Sequence, residues 1–203
     1  MTEDSETTAF AIHVTQLSHY YNHLPAVDAI SFTVDAGAVF GLLGPNGAGK
    51  STTIKMLTTL LPPTHGTAQV AGFDIVNDPA MVRASIGYVP QLISADGDLS
   101  GYENLLFSAK LYGLTKALRE ENIQHVLEFM GLLDVQDQLV NSYSGGMIRR
   151  LEIAQALIHR PKVLFLDEPT VGLDPAARKV LWKIIQEWQQ KFKTTILITT
   201  HDM

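Results

Sequence analysis

The 203-residue chain contains no cysteine, which excludes disulfide bonds and metal sites built on thiolates. It also lacks a long basic run: 15 Lys and Arg stand against 21 Asp and Glu, for a net charge of −6. This balance argues against a surface built mainly to hold nucleic acid. The longest apolar runs, such as VLFL and VFGLL, reach about a quarter of the ~20 residues that a membrane span needs. We therefore expect a chain that does not itself cross a bilayer.

The composition is that of a folded globular protein, with 46% hydrophobic and 18% charged residues. The first ten residues, MTEDSETTAF, are acidic and polar, and they lack the basic and apolar segments of a signal peptide. We expect a short flexible tail over residues 1–10 and one domain over residues 11–203.

Short apolar and β-branched segments alternate with helical patterns along most of the chain. Several of these segments are uniformly apolar, which is typical of strands buried on both faces of a parallel sheet. The predicted strands are 11–17, 29–34, 38–44, 67–72, 86–90, 162–167 and 194–200. Residues 176–191 carry apolar side chains at helical spacing and predict an amphipathic helix. The alternation indicates an α/β domain that binds ligands at the carboxyl ends of its strands.

Residues 99–160 break this alternation, because they contain helical patterns and no strand candidate. Ser100 and Glu103 form a capping-box pattern at the start of the first helix, and the second helix ends near Gly131. The apolar faces of the second and third helices are formed by Ile123, Val126, Leu127 and Met130, and by Met147, Leu151, Ala154 and Ile158. We predict a helical subdomain over about residues 99–160.

The segment GPNGAGKST, residues 44–52, matches the phosphate-binding pattern G-x-x-x-x-G-K-[ST] and follows a predicted strand. Its glycines allow the backbone N–H groups to surround phosphates, while Lys50 reaches the β- and γ-phosphates and Ser51 binds Mg²⁺. The sequence therefore predicts a nucleoside triphosphate site. Its residues are Gly44, Pro45, Asn46, Gly47, Ala48, Gly49, Lys50, Ser51 and Thr52.

The segment KVLFLDEP supplies two carboxylates at the end of a second apolar strand. Asp167 ends that strand, where a buried carboxylate is costly unless it serves a cation. We expect Asp167 to serve Mg²⁺, and Glu168 to orient and polarise the attacking water.

A second potential phosphate cradle begins at Ser144, where the sequence SGGM opens a helix. Ser144 is in the N-cap position, and Gly145 and Gly146 leave the first turn uncovered. The N–H groups and partial positive charge of such a helix end suit an anion. One chain thus carries two phosphate-binding features.

Together these segments resemble the ATP-binding subunit of ABC transporters over essentially the whole chain. The signature sequence of that family is usually LSGGQ, and here it is YSGGM, Tyr143 to Met147. The resemblance implies that this helix faces the P-loop of a second copy, so that each ATP is sandwiched between two chains. The second cradle would then serve the neighbour's nucleotide, through Ser144, Gly145 and Gly146.

The resemblance assigns roles to further residues. It implies that Tyr21 stacks on adenine, with Tyr20 as the neighbouring alternative. Gln91, in YVPQ, matches the glutamine that senses Mg²⁺ and the γ-phosphate, and Asp174, in GLDP, matches the aspartate of the interface loop. His201 matches the histidine that contacts the γ-phosphate. The expected catalytic residues are Glu168, His201, Lys50 and Gln91, and the expected metal-binding residues are Ser51, Gln91 and Asp167.

Tyr143 and Met147 depart from the usual signature, and with RRLEIAQALI they resemble the drug- and antibiotic-export branch, similar to daunorubicin-resistance ATPases. The chain ends two residues after His201, so we expect that the C-terminal region found in the family is missing. The expected fold is α/β: a P-loop NTPase core with a mostly parallel sheet, an N-terminal antiparallel β portion and an inserted helical subdomain.

The resemblance implies an ATPase that powers export through a separate polytopic membrane permease, at the cytoplasmic face of the membrane, without nucleic acid. The loop after Gln91, LISADGDLSGYEN, is the expected docking surface for that permease. An alternative is a soluble ABC-type ATPase of DNA repair or translation. The DNA-repair type needs a long coiled coil, yet about 93 residues without sustained heptads separate Ser51 from Ser144. The translation type needs two cassettes. A small P-loop kinase or GTPase is a further alternative.

Overall fold

The structure is a computed structural model that describes residues 10–200. Phe10, the last residue of the predicted tail, begins the first strand, and the rest of that tail lies outside the described residues. His201 also lies outside them, so its predicted contact with the γ-phosphate stays a prediction.

Residues 10–200 contain eight strands, which form two sheets. The antiparallel sheet contains β1 (Phe10–Tyr21), β2 (Leu24–Asp35), β4 (His65–Val70) and β5 (Phe73–Asp74), in the order β2-β1-β4-β5. The parallel sheet contains β3 (Val39–Leu43), β6 (Ile86–Val89), β7 (Val163–Asp167) and β8 (Thr195–Thr200), in the order β3-β8-β7-β6. All seven predicted strands are present, and the two-residue β5 is an addition.

In the described part of the chain, six α-helices accompany these strands. They are α1 (Lys50–Leu57), α2 (Pro79–Ser85), α3 (Gly101–Leu111), α4 (Lys116–Met130), α5 (Gly145–Leu157) and α6 (Pro175–Phe192). The helices α3, α4 and α5 fall within the predicted helical subdomain, together with two 3₁₀ turns at Leu133–Val135 and Val140–Ser142. The predicted capping box is formed by Ser100 and Glu103, and Gly131 ends α4 with a φ of +62°.

The parallel sheet separates two hydrophobic cores. Along β7, Val163 and Phe165 face a core formed with the antiparallel sheet and α1. Leu164 and Leu166 face the opposite core, which contains the apolar sides of α3 to α6. Burial on both faces explains why the strand is apolar at every position before Asp167. The predicted α/β fold is therefore confirmed.

The strand order brings the predicted site residues to one edge. Parallel pairing aligns Leu43 with Thr200 and Asp167 with Thr199, so β3, β7 and β8 end side by side. The P-loop follows β3 directly and leads into α1, so it lies at the same carboxyl edge as Asp167.

Candidate nucleotide-binding site

A cavity of about 330 Å³ lies beside the P-loop. Residues 46–52 form most of its wall, and Ala26, Gln91 and Glu168 complete it. Segments from four parts of the chain thus meet at the carboxyl edge of the parallel sheet, which is where open α/β sheets bind ligands.

The P-loop is fitted closely against β2. Gly49 is the N-cap residue of α1 with a φ of +85°, and no side chain caps this helix. A Cβ on Gly49 would lie 2.3 Å from the Ala26 carbonyl oxygen and 2.9 Å from Val27 Cγ2, so only glycine fits here. Because the first N–H groups of a helix have no intrahelical partner, this end of α1 is suited to bind phosphate.

Lys50 places its ammonium group at the cavity. Its Nζ donates to the carbonyls of Gly44 (2.7 Å) and Pro45 (3.1 Å), and it lies 3.4 Å from Glu168 Oε1. The lysine is 7% exposed, so its charge is directed into the site and away from bulk solvent. The structure thus brings the predicted phosphate ligand and the predicted catalytic carboxylate into contact.

One carboxylate oxygen of Asp167 accepts hydrogen bonds from two hydroxyl groups. Ser51 Oγ donates to Asp167 Oδ1 at 3.1 Å, and Thr199 Oγ1 donates to it at 2.6 Å. Residues 10–200 contain no cluster of three or more His, Cys, Asp or Glu side chains that could hold a metal alone. A carboxylate beside a hydroxyl nevertheless fits Mg²⁺, which takes few protein ligands and completes its shell with phosphate oxygens and water.

Glu168 has an unusual backbone conformation for a non-glycine residue, with a φ of +48°. Its N–H donates to Thr199 Oγ1 at 2.9 Å, and its carbonyl accepts from the Val171 N–H at 3.2 Å and from Arg149 Nη2 at 3.4 Å. Strained backbone of this kind persists where the surroundings hold it, and it is concentrated at functional sites.

The two tyrosines at the end of β1 have different surroundings. Tyr20 donates its hydroxyl to Asp28 Oδ1 at 2.8 Å, and that hydrogen bond raises the pKa of Tyr20. The Tyr21 ring is half exposed and packs edge-on against His19 at 4.5 Å. Neither ring lines the cavity, and the residue of β1 and β2 that does so is Ala26. The open face of Tyr21 makes it the better candidate to stack on a base.

The signature segment has the predicted local structure. Ser144 is the N-cap of α5, and its Oγ accepts the Met147 N–H at 3.3 Å. Tyr143, which replaces the usual leucine, is buried and donates its hydroxyl to the Val135 carbonyl at 2.7 Å. Ser144 and Gly145 are exposed, and neither lines the cavity beside the P-loop. This start of a helix therefore does not belong to the cavity of its own chain.

Asp174 caps α6, because its Oδ1 accepts the N–H groups of Ala176 (2.9 Å) and Ala177 (3.0 Å). This local role accounts for an aspartate before Pro175 without a second chain. Its predicted contact across an interface stays a prediction.

Two charged residues of the site were missed by the sequence reasoning. Arg149 and Glu152 lie on the buried face of α5 and form an ion pair of 3.0 Å. Their i, i+3 spacing on the face that also carries Ile153 and Ala156 was the available signal. Arg149 donates to the carbonyls of Gln91 and Glu168, two of the residues that line the cavity.

Comparison with known proteins places this geometry in one family. The family model described as ABC transporter matches residues 27–171. The chain is 46% identical over 190 residues to the daunorubicin/doxorubicin resistance ATP-binding protein DrrA of Streptomyces peucetius, with coverage of 94% of this chain and 57% of that protein. It is 44% identical over 193 residues to the Nod factor export ATP-binding protein I of Sinorhizobium fredii, with coverage of 95% and 56%.

The fold agrees with a solved structure as well. CbiO1 from Clostridium perfringens, part of the ABC transporter complex cbiONQ, superposes with a TM-score of 0.85 at 32% identity, covering 95% of this chain and 79% of that one. The chain spans little more than half the length of the two curated relatives. The resemblance to the daunorubicin-resistance branch is confirmed by these relatives, and the chain belongs to the ABC transporter family.

Proposed function

We propose that this chain binds and hydrolyses ATP with Mg²⁺ and powers export through a separate membrane permease. The observation that carries the proposal is the convergence of Lys50, Asp167 and Glu168 at one cavity. The Lys50 ammonium group lies 3.4 Å from Glu168 Oε1, and Ser51 Oγ in the P-loop donates to Asp167 Oδ1 at 3.1 Å. This set fits phosphoryl transfer to water, in which the protein positions groups and stabilises charge.

Each residue has a distinct task in this reaction. Lys50 and the N–H groups at the start of α1 bind the β- and γ-phosphates. Ser51 Oγ and the Asp167 carboxylate hold Mg²⁺, which when bound neutralises charge on the phosphate oxygens. Glu168 accepts a proton from the attacking water, and its strained backbone fixes the direction of the carboxylate. Gln91, at the cavity wall, senses the γ-phosphate and the metal.

The second phosphate cradle supports a dimer. The N-terminus of α5, formed by Ser144, Gly145 and Gly146, does not line the cavity of its own chain. In a two-fold dimer, each such helix start would bind the nucleotide held by the partner's P-loop. The proposed partner is a second copy of the chain, and the two ATP molecules lie between the copies.

The membrane partner is proposed to dock beside Gln91. Leu92 and Ile93 are 81% and 67% exposed, which is high for apolar residues. A groove of about 390 Å³ lies between the core and the helical subdomain, lined by Thr58, Leu60, Arg83, Ile86, Tyr88, Leu111 and Tyr112. None of the helices within residues 10–200 is both long and apolar enough to cross a membrane. The proposed location is the cytoplasmic face of the membrane, through the permease.

The export role is supported by relatives whose names describe drug resistance and Nod factor export. The alternative of a soluble DNA-repair ATPase requires a long coiled coil between the P-loop and the signature helix. The helices α3, α4 and α5 have only 11, 15 and 13 residues and form no such coiled coil.

Two substitutions test the hydrolysis. Lys50→Ala removes the cation at the phosphates and is expected to abolish tight ATP binding in calorimetry. Glu168→Gln is expected to keep ATP binding and lose turnover, because an amide cannot accept the proton of water. Lys55→Ala, on the exposed side of α1, is the matched control and should change neither. Normal turnover by Glu168→Gln would show that another group is the base.

A further inference from the structure

Arg149 contacts two of the segments that border the nucleotide cavity. Its Nε donates to the Pro169 carbonyl at 2.9 Å, and its Nη2 donates to the Glu168 carbonyl at 3.4 Å. On the other side, Nη1 donates to the Pro90 carbonyl at 2.7 Å and Nη2 to the Gln91 carbonyl at 3.3 Å. One guanidinium therefore joins the backbone of the proposed base to the backbone of the γ-phosphate sensor.

Glu152 extends these contacts into the loop after Gln91. Its Oε2 accepts from Arg149 Nη1 at 3.0 Å, while its Oε1 accepts both the N–H and the hydroxyl of Ser94, the hydroxyl at 3.0 Å. The two side chains are nearly fully buried, at 5% and 3% exposure for the whole residues. Ser94 directly follows the exposed Leu92 and Ile93, so a continuous set of polar contacts links the proposed docking surface to Glu168.

Stability alone is a weak reason for such a pair, because the cost of burying two charges can exceed their attraction. A planar guanidinium is suited instead to holding several acceptors in fixed directions. Glu168 needs such support, since its φ of +48° is unfavourable for a glutamate. Thr199 holds its N–H, and Arg149 holds its carbonyl.

We propose that Arg149 and Glu152 are positioning residues that couple the loop 91–94 to the Glu168 carboxylate. When a partner moves Leu92 and Ile93, Ser94 shifts Glu152, Arg149 follows, and the Glu168 peptide turns with it. Contact at the docking surface thereby sets how well the base is aligned with the attacking water. This inference rests on the proposed role of Glu168.

Steady-state kinetics of the full-length protein test the coupling. Glu152→Gln keeps the side-chain size but removes the negative charge and one of the two acceptor oxygens, so it cannot accept from both Ser94 and Arg149 as Glu152 does. Arg149→Lys keeps the charge but loses the planar set of donors. For both variants we expect kcat to fall about tenfold or more while KM changes less than about threefold, because misplacement affects the transition state more than ATP binding.

Asn122→Ala is the matched control, because it removes a buried polar group that contacts the opposite end of α5. Asn122 on α4 donates to the Ile158 carbonyl at the end of α5 at 2.8 Å, so this variant disturbs the helical subdomain. It is expected to lower Tm and leave kcat unchanged. A parallel rise of KM and fall of Tm in Glu152→Gln, with kcat unchanged, would show a merely structural pair and overturn the inference.

Hydrogen–deuterium exchange gives a readout that is independent of activity. The Ser94 amide donates to Glu152, and the Val171 amide donates to the Glu168 carbonyl. Glu152→Gln is expected to speed exchange at both amides, although Val171 does not contact Glu152. Faster exchange at Ser94 with an unchanged Val171 would refute the coupling. Absence of ATP hydrolysis by the unsubstituted protein would instead refute the proposed function, and the exchange result would still decide the coupling.

Discussion

Replacing Gly49 by alanine tests whether β2 holds the P-loop in its phosphate-binding form. The new Cβ would lie 2.3 Å from the Ala26 carbonyl oxygen, so either β2 or the P-loop must move. A φ of +85° adds strain of about 1–2 kcal/mol for a residue with a Cβ. Steric overlap with packed backbone adds about 1–3 kcal/mol, so the expected loss of unfolding free energy is about 2–5 kcal/mol.

Gly72→Ala is the matched control, because its φ is +88° and a Cβ there meets nothing within 4 Å. It should cost only the strain of about 1–2 kcal/mol and leave ATP affinity unchanged. For a domain of this size, each kcal/mol lowers Tm by about 2–4 °C, which a thermal scan resolves. Gly49→Ala should lower Tm by about twice as much as the control and weaken ATP binding in calorimetry. Equal Tm losses with intact ATP binding in both variants would refute the supporting role of β2.

Three further predictions concern recognition of the nucleotide's purine ring, docking of the membrane partner, and the pH dependence of stability. Tyr21→Ala should weaken ATP and GTP binding alike, since stacking contributes about 1–3 kcal/mol for either ring, and unchanged affinities in calorimetry would contradict the stacking role. Leu92→Asp should uncouple transport while sparing ATP binding, and loss of ATP binding with intact membrane association would reverse that view. Burial lowers the pKa of His159 to about 4 from 6.5, so the unfolded chain binds a proton between these values that the folded chain does not. The free energy of unfolding should therefore fall by about 2 kcal/mol from this group between pH 7 and pH 5. Urea unfolding of His159→Gln should lack that part of the loss, and an unchanged pH dependence would contradict it.

The parts of the fold that depend on residues close together in the sequence could be predicted from the sequence. Residues 163–166 are all apolar because both faces of β7 are covered, and this is visible without knowing the partners. The start of α3 at Ser100 and the end of α4 at Gly131 follow from local capping chemistry.

The contacts between distant segments could not be predicted. The order β3-β8-β7-β6 depends on pairing between strands that lie far apart in the sequence, such as Val39 with Ile196, and nothing in Thr199 itself shows that it binds Asp167. The partners of Arg149 could not be identified from the sequence, because they are backbone carbonyls, which any sequence provides. The strained φ of Glu168 likewise follows from tertiary packing and leaves no trace in the local sequence.

The central claim is that each ATP lies between the P-loop of one copy and the Ser144 helix start of another. Asn46→Cys and Ser144→Cys can be made as separate proteins, because the 203-residue sequence has no other cysteine. Glu168→Gln in both prolongs the ATP-bound state. Lys116→Cys, at the exposed start of α4, replaces Ser144→Cys in the control.

Mixing the two proteins with ATP and a mild oxidant is expected to give a covalent heterodimer, because a disulfide needs Cα atoms within about 7 Å. Neither protein alone should cross-link as readily, since equivalent positions lie at opposite ends of a two-fold interface. Omission of ATP, or use of the Lys116→Cys control, should weaken the product. A chain carrying both substitutions that closes only on itself would contradict the account, because the Ser144 helix would then serve its own P-loop.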